Sequence, residues 1–142
     1  MRNILVLGGY GNFGWRISKA LVKANIPIVI AGRSEEKAQK LANELKEDNP
    51  KASIEISVFD VNQDLPARLD ELQPKVAINT CGPFQTSDYS VAKTCIQAGV
   101  HYIDLADGRD FVRDIVTLND EAKANNVLVI SGASTVPGLS SA

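Results

Sequence analysis

Six short runs rich in Val and Ile alternate with amphipathic segments along the chain, and this alternation limits the fold more than any other feature. The runs occupy residues 3–7, 27–31, 53–59, 75–80, 100–104 and 127–131, the length and composition of buried strands. Between them, apolar side chains recur at helical spacing. Phe13, Ile17, Leu21 and Ala24 form one stripe, Ala38, Leu41, Ala42 and Leu45 the next, and Leu65, Leu69 and Leu72 a third. Ala92, Cys95 and Ile96 within 87–98 form a fourth, and Phe111, Ile115, Leu118 and Ala122 a fifth. Strand and helix in turn predict an α/β fold: a doubly wound parallel sheet of six strands, order 3-2-1-4-5-6, with helices on both faces. A chain of 142 residues builds one such core.

The runs sort themselves within that order. Val29-Ile30-Ala31 and Val76-Ala77-Ile78 are apolar throughout, which suits central strands. The third run alternates Ile54, Glu55, Ile56, Ser57, Val58, so one face is wet, as at an edge. The last run, 127–130, is apolar throughout yet falls at the opposite edge and calls for a cover. Residues 1–133 then form one domain. Residues 134–142 are expected to begin a linker into a second domain outside this chain.

The first strand runs into Gly8-Gly-Tyr-Gly-Asn-Phe-Gly14, in which Gly9, Gly11 and Gly14 spell GxGxxG. The first of these glycines allows a tight turn, the second lets backbone approach a pyrophosphate, and the third brings the helix close to the sheet. A helix beginning near Asn12 would aim its free N–H groups and positive dipole end at the phosphates. Glycine-rich turns are common, but here the motif follows a strand and opens a helix, the context that specifies a dinucleotide. No Gly-Lys-Ser/Thr ending follows, which argues against triphosphate chemistry.

The nucleotide is read at the end of the second strand. An NAD site places an acidic residue there, whereas this chain has Gly32-Arg33-Ser34. Gly32 leaves room for a 2′-phosphate, Arg33 can grip it as a fork, and Ser34 can add its hydroxyl while also capping the next helix. The expected cofactor is NADP(H) in preference to NAD(H). Asp60, after the third strand, either accepts from the adenine amino group or serves as a turn residue. The fourth strand ends Asn79-Thr-Cys-Gly-Pro-Phe84. Gly82 there lets the chain pass close over the cofactor, and Cys81 reads as a packing residue beside the ribose rather than a nucleophile.

Other features are set aside. Tyr89 and Lys93 spell YxxxK, but they precede the fifth strand, whereas short-chain dehydrogenases carry that pair after it. His101 opens the fifth strand, at the wrong end for ligands. Asp104, Asp107 and Asp110, interleaved with Arg109 and Arg113, read as a solvated loop rather than metal ligands. Fifteen basic against seventeen acidic side chains, net −2, argue against nucleic-acid binding through bulk charge. No apolar run approaches the roughly 18 residues of a spanning helix. Cys81 and Cys95 have no CxxC spacing, so neither a metal site nor a disulfide is expected, and a cytoplasmic location is.

The whole chain resembles the NADP-binding domain of the saccharopine dehydrogenase-like family. The resemblance is carried by GGYGNFG from Gly8, AGRS from Ala31, NTCGPF from Asn79, HYIDLADGRDFV from His101 and SGASTVPGLSS from Ser131. It implies a Rossmann fold, an oxidoreductase parent, and a second domain for catalysis and dimerisation that contributes most substrate contacts. That leaves room for a homodimer of the full-length protein. It also implies cofactor contacts at Tyr10, Gly11, Asn12, Phe13, Arg33, Ser34, Asp60, Cys81 and Gly82. The nicotinamide is expected near Gly82, Asp104 and Ser131–Gly132, with no general acid identified and the isolated domain catalytically incomplete. The rival readings are a nucleotide-sensing regulatory module without redox chemistry, and a structural module whose glycine loop is vestigial.

Overall fold

The computed structural model describes residues 3–8, 14–80, 90–105 and 115–131. In chain order the elements are β1 (Ile4–Leu7), α1 (Gly14–Lys23), β2 (Ile28–Gly32), α2 (Glu35–Asp48), β3 (Ile54–Val58) and α3 (Val61–Leu72). There follow β4 (Val76–Asn79), α4 (Ser90–Gln97), β5 (His101–Asp104), a 3₁₀ turn (Ile115–Leu118), α5 (Asn119–Ala124) and β6 (Val129–Ile130). The six strands form one sheet in the order β3-β2-β1-β4-β5-β6, every pairing parallel. This is the predicted fold.

Strand periodicity divides the core into two layers. Leu5, Leu7, Val29, Ala31, Ala77 and Tyr102 point to one face, where α3, α4 and α5 supply Leu65, Leu69, Cys95, Ile96 and Ala122. Ile28, Ile30 and Ile54 point to the other, where α1 and α2 supply Val22, Ala38, Leu41 and Leu45. Leu5, Val6 and Leu7 are wholly buried, because β1 sits in mid-sheet with a layer of helix on each side.

Three elements differ from the sequence pattern. On α1 the buried residues are Gly14, Ser18 and Val22, while Ile17 and Leu21 are half-buried and Ala24 is exposed. The helix is rotated from its apolar stripe because its small residues allow the closest approach to the sheet. On β3 the alternation reverses at the end: Ser57 is buried and Val58 is 38% exposed. Ser57 pairs with Ala31 on the α3 side of the sheet, beside the turn that buries Phe59. Of the fifth helix, the described residues form the 3₁₀ turn and α5, which bury Leu118 and Ala122, while Phe111 lies outside the described residues. At the β6 edge Leu128 and Ile130 stand 60% and 40% exposed.

Four helices end on a residue with left-handed backbone: Asn25, Gln73, Gly99 and Asn126, at φ 62°, 44°, 72° and 56°. After three of them the next amide reaches back five residues, Ile26 to Leu21 O, Val100 to Cys95 O and Val127 to Ala122 O. This closes the helix and aims the chain into the next strand. After Gln73 comes Pro74, which has no N–H to give.

Candidate functional site

The order of the strands reverses between β1 and β4, and ligands of open α/β sheets collect at the carboxyl ends beside that reversal. Gly8 leaves β1 with φ 77° and donates its N–H to Ala31 O at 2.8 Å. Thr80 ties the other side. Its N–H reaches Leu7 O at 3.0 Å, and its hydroxyl lies 2.6 Å from Leu7 O and 3.1 Å from Gly8 O. The strand ends flanking the crevice are thus locked together just before the glycine loop departs. Gly14 is buried at the start of α1, as the third glycine of the motif requires. Gly9, Tyr10, Gly11, Asn12, Phe13, Cys81 and Gly82 lie outside the described residues, as does Tyr89 of the discounted YxxxK. Lys93 is exposed on α4.

The tip of β2 carries the residues expected to read the nucleotide. Arg33 is exposed directly beyond Gly32. Ser34 is half-buried with extended backbone (φ −111°, ψ 111°), and its hydroxyl accepts the Lys37 N–H at 3.3 Å, which caps α2. The Phe59 N–H donates to Gly32 O at 3.0 Å, so the ends of β2 and β3 sit side by side and bring the Arg33 and Asp60 segments together. Asp60 is half-buried, and its carbonyl accepts the amides of Gln63 and Asp64 at 3.0 and 2.9 Å, so it does serve the turn into α3. Arg68 covers the Phe59 ring at 5.7 Å and pairs with Glu71 at 3.1 Å.

The most organised polar group lies across the ends of β4, β5 and β6. Asn79 Nδ2 donates to the Tyr102 hydroxyl at 3.2 Å, which donates to Asp104 Oδ2 at 2.8 Å, while the Ser131 hydroxyl donates to Asp104 Oδ1 at 2.8 Å. Asn79, Tyr102 and Asp104 are 5%, 1% and 0% exposed. Asp104 is therefore not part of a solvated loop: it ends β5 inside the sheet. Burial, and then the charge of Asp104, push the Tyr102 phenol well above its ordinary value, so it remains a donor throughout the working range. The sequence signal for this chain was a polar residue at the carboxyl tip of each of three successive strands. Tyr102 is two residues before Asp104, on the same face.

His101 opens β5 at the far end and accepts the Leu128 N–H on Nδ1 at 3.0 Å, a structural bond to the segment entering β6. Cys95 is buried in α4, and burial alone pushes its thiol up to about 12. Among the described residues no helix is long and apolar enough to cross a membrane.

The sequence model of the saccharopine dehydrogenase NADP binding domain matches residues 4–130. A mouse saccharopine dehydrogenase-like oxidoreductase is 28% identical over 144 residues, covering 93% of this chain and 34% of its own length. The chain thus spans about a third of the length of the curated relatives it matches. Among solved structures, an apo short-chain oxidoreductase from Pseudomonas aeruginosa with an atypical catalytic center superposes at TM-score 0.72 with 15% identity, over 92% of this chain and 68% of that one. FolM alternative dihydrofolate reductase 1 from Brucella canis, complexed with NADP, superposes at 0.66 with 14% identity, over 92% and 70%. These likenesses show the Rossmann fold. The sequence match, which runs from β1 into β6, shows more: the chain belongs to the saccharopine dehydrogenase NADP-binding domain family.

Proposed function

We propose that this chain is the cofactor-binding part of a two-domain oxidoreductase. It selects NADP(H) over NAD(H) and presents the nicotinamide to a small-molecule substrate held mostly by a second domain outside the chain. On this reading the isolated domain is catalytically incomplete, and the parent works in the cytoplasm with room to form a homodimer. The observation that carries the cofactor choice is the tip of β2, where exposed Arg33 stands in place of a carboxylate. A carboxylate there would repel a 2′-phosphate, whereas a guanidinium grips it with two parallel hydrogen bonds.

The chain's own residues fit such a ligand. Buried Gly14 seats α1 against the sheet, so that helix points its N-terminus at the crevice beside β1. Ser34, whose hydroxyl accepts the Lys37 N–H, stands at the same strand tip beside Arg33. Asp60 can accept from the adenine amino group while its carbonyl holds the turn. The glycine motif and the family resemblance assign Gly9, Tyr10, Gly11, Asn12, Phe13, Cys81 and Gly82 to cofactor contacts as well. The bound cofactor supplies or accepts the hydride.

The test is a titration with NADPH and NADH, read by calorimetry and by the fluorescence of Trp15, which lies in the first turn of α1. NADPH should bind about tenfold to a hundredfold tighter, and Arg33→Ala should remove most of that difference. Equal or tighter NADH binding refutes the assignment. Cofactor binding without any substrate-dependent NADPH oxidation by the full-length protein would favour the regulatory module instead.

A further inference from the structure

The chain from Asn79 to Ser131 does more than tie three strands. A serine hydroxyl owns one proton, and that of Ser131 is directed at Asp104 Oδ1 over 2.8 Å. The acceptor is a wholly buried carboxylate whose other oxygen takes the Tyr102 hydroxyl, itself held by Asn79. Bonds to a charged acceptor are the strong ones, so the Ser131 proton is not available to a ligand. What Ser131 has left are the lone pairs of Oγ, made more negative by the carboxylate behind them. It is half-buried at the carboxyl end of the sheet, directly after β6, with Asp104 inside.

Ser131 is therefore an acceptor only, and any ligand group seated on it must donate. Phosphate oxygens and carbonyls are repelled there. Resting on the NADP(H) reading above, we infer that Ser131 Oγ accepts a hydrogen bond from the carboxamide N–H₂ of the nicotinamide. Asp104 is then a positioning residue that fixes the direction of the serine proton, and Tyr102 and Asn79 hold Asp104. The carboxamide is the N–H donor at the redox end of the cofactor, and engaging it fixes which ring face meets the substrate.

The experiment compares NADP⁺ with 3-acetylpyridine adenine dinucleotide phosphate, in which a methyl group replaces the amide nitrogen, by calorimetry on the 142-residue chain. The wild type should bind NADP⁺ about tenfold tighter than the analogue, the value of one hydrogen bond. Ser131→Ala should bring that ratio close to one by weakening NADP⁺ alone. Ser131→Thr, which keeps the hydroxyl, should restore it, and Asp104→Asn should reduce it with Ser131 intact. A ratio near one in the wild type, or one that Ser131→Ala leaves unchanged, overturns the inference. If NADP⁺ still binds in that case and Arg33→Ala still weakens it, the cofactor assignment stands. A folded chain that binds neither nucleotide overturns both.

Discussion

Replacing Tyr102 with Phe removes one oxygen atom from a position 1% exposed and leaves the ring to fill the same space. The lost hydroxyl donates to the Asp104 carboxylate at 2.8 Å and accepts from Asn79 Nδ2 at 3.2 Å. A hydrogen bond to a charged group contributes about 1.5–3 kcal/mol, and a buried donor deprived of its partner costs about 1–3 kcal/mol. The effects overlap because Asn79 can reorient, so the expected loss is about 3 kcal/mol. Urea unfolding followed by far-UV circular dichroism measures it directly. With a slope of about 2 kcal/mol per molar, the midpoint should fall by about 1.5 M at unchanged slope. Ser131→Ala, which removes a donor from a half-buried position open to water, should cost less than Tyr102→Phe. A loss below about 1 kcal/mol in Tyr102→Phe would mean that Asp104 does not depend on the phenol, and the argument for a rigid polar chain would fail.

Gln73 adopts φ 44° without the flexibility of glycine, so Gln73→Gly should stabilise the chain by about 0.5–1 kcal/mol in the same assay. Ser34→Ala removes the cap on α2 and should cost about 1 kcal/mol, with a separate fall in NADPH affinity. Cys95, pushed from 9.0 up to about 12 by burial, should resist iodoacetamide in the folded chain and react on unfolding, as peptide mapping will show. Its folded pKa is raised, so the unfolded state loses the proton first. Its contribution is present below pH 9.0 and declines by about 1.4 kcal/mol per pH unit toward 12, which Cys95→Ala should abolish in alkaline unfolding curves.

The architecture was legible because every strand is a short β-branched run and every crossover has an apolar stripe, and only a parallel sheet satisfies six such repeats. Single positions were harder. The stripe of α1 pointed to Ile17 and Leu21, yet Gly14 and Ser18 face the sheet, because closeness of packing depends on what a side chain lacks as well as on its hydropathy. The alternation of β3 failed at Ser57 and Val58, where the turn to Phe59 changes what each face meets. The Ser34 cap on α2 was readable from local order alone. The polar chain showed only as three polar strand tips, since its bonds exist only once Ala77 pairs with Tyr102 and Asn79 with Asp104, a register that no local pattern encodes. Read along the sequence, Asp104 belonged with Asp107 and Asp110, and only the sheet shows it buried at the end of β5.

Thr80 and Gly8, joined by one hydroxyl, stand 72 positions apart. A nascent chain growing at about 5–20 residues per second needs about 4–15 s to bridge that interval. Over this time β2 can settle against β1, but the other margin of β1 has no neighbour until β4 emerges. Leu5, Val6 and Leu7, wholly buried in the finished fold, are thus among the most vulnerable residues during its synthesis. A slowed ribosome or a missing chaperone would expose this margin for longest, so failures of expression should originate at the sheet's centre rather than at its edges.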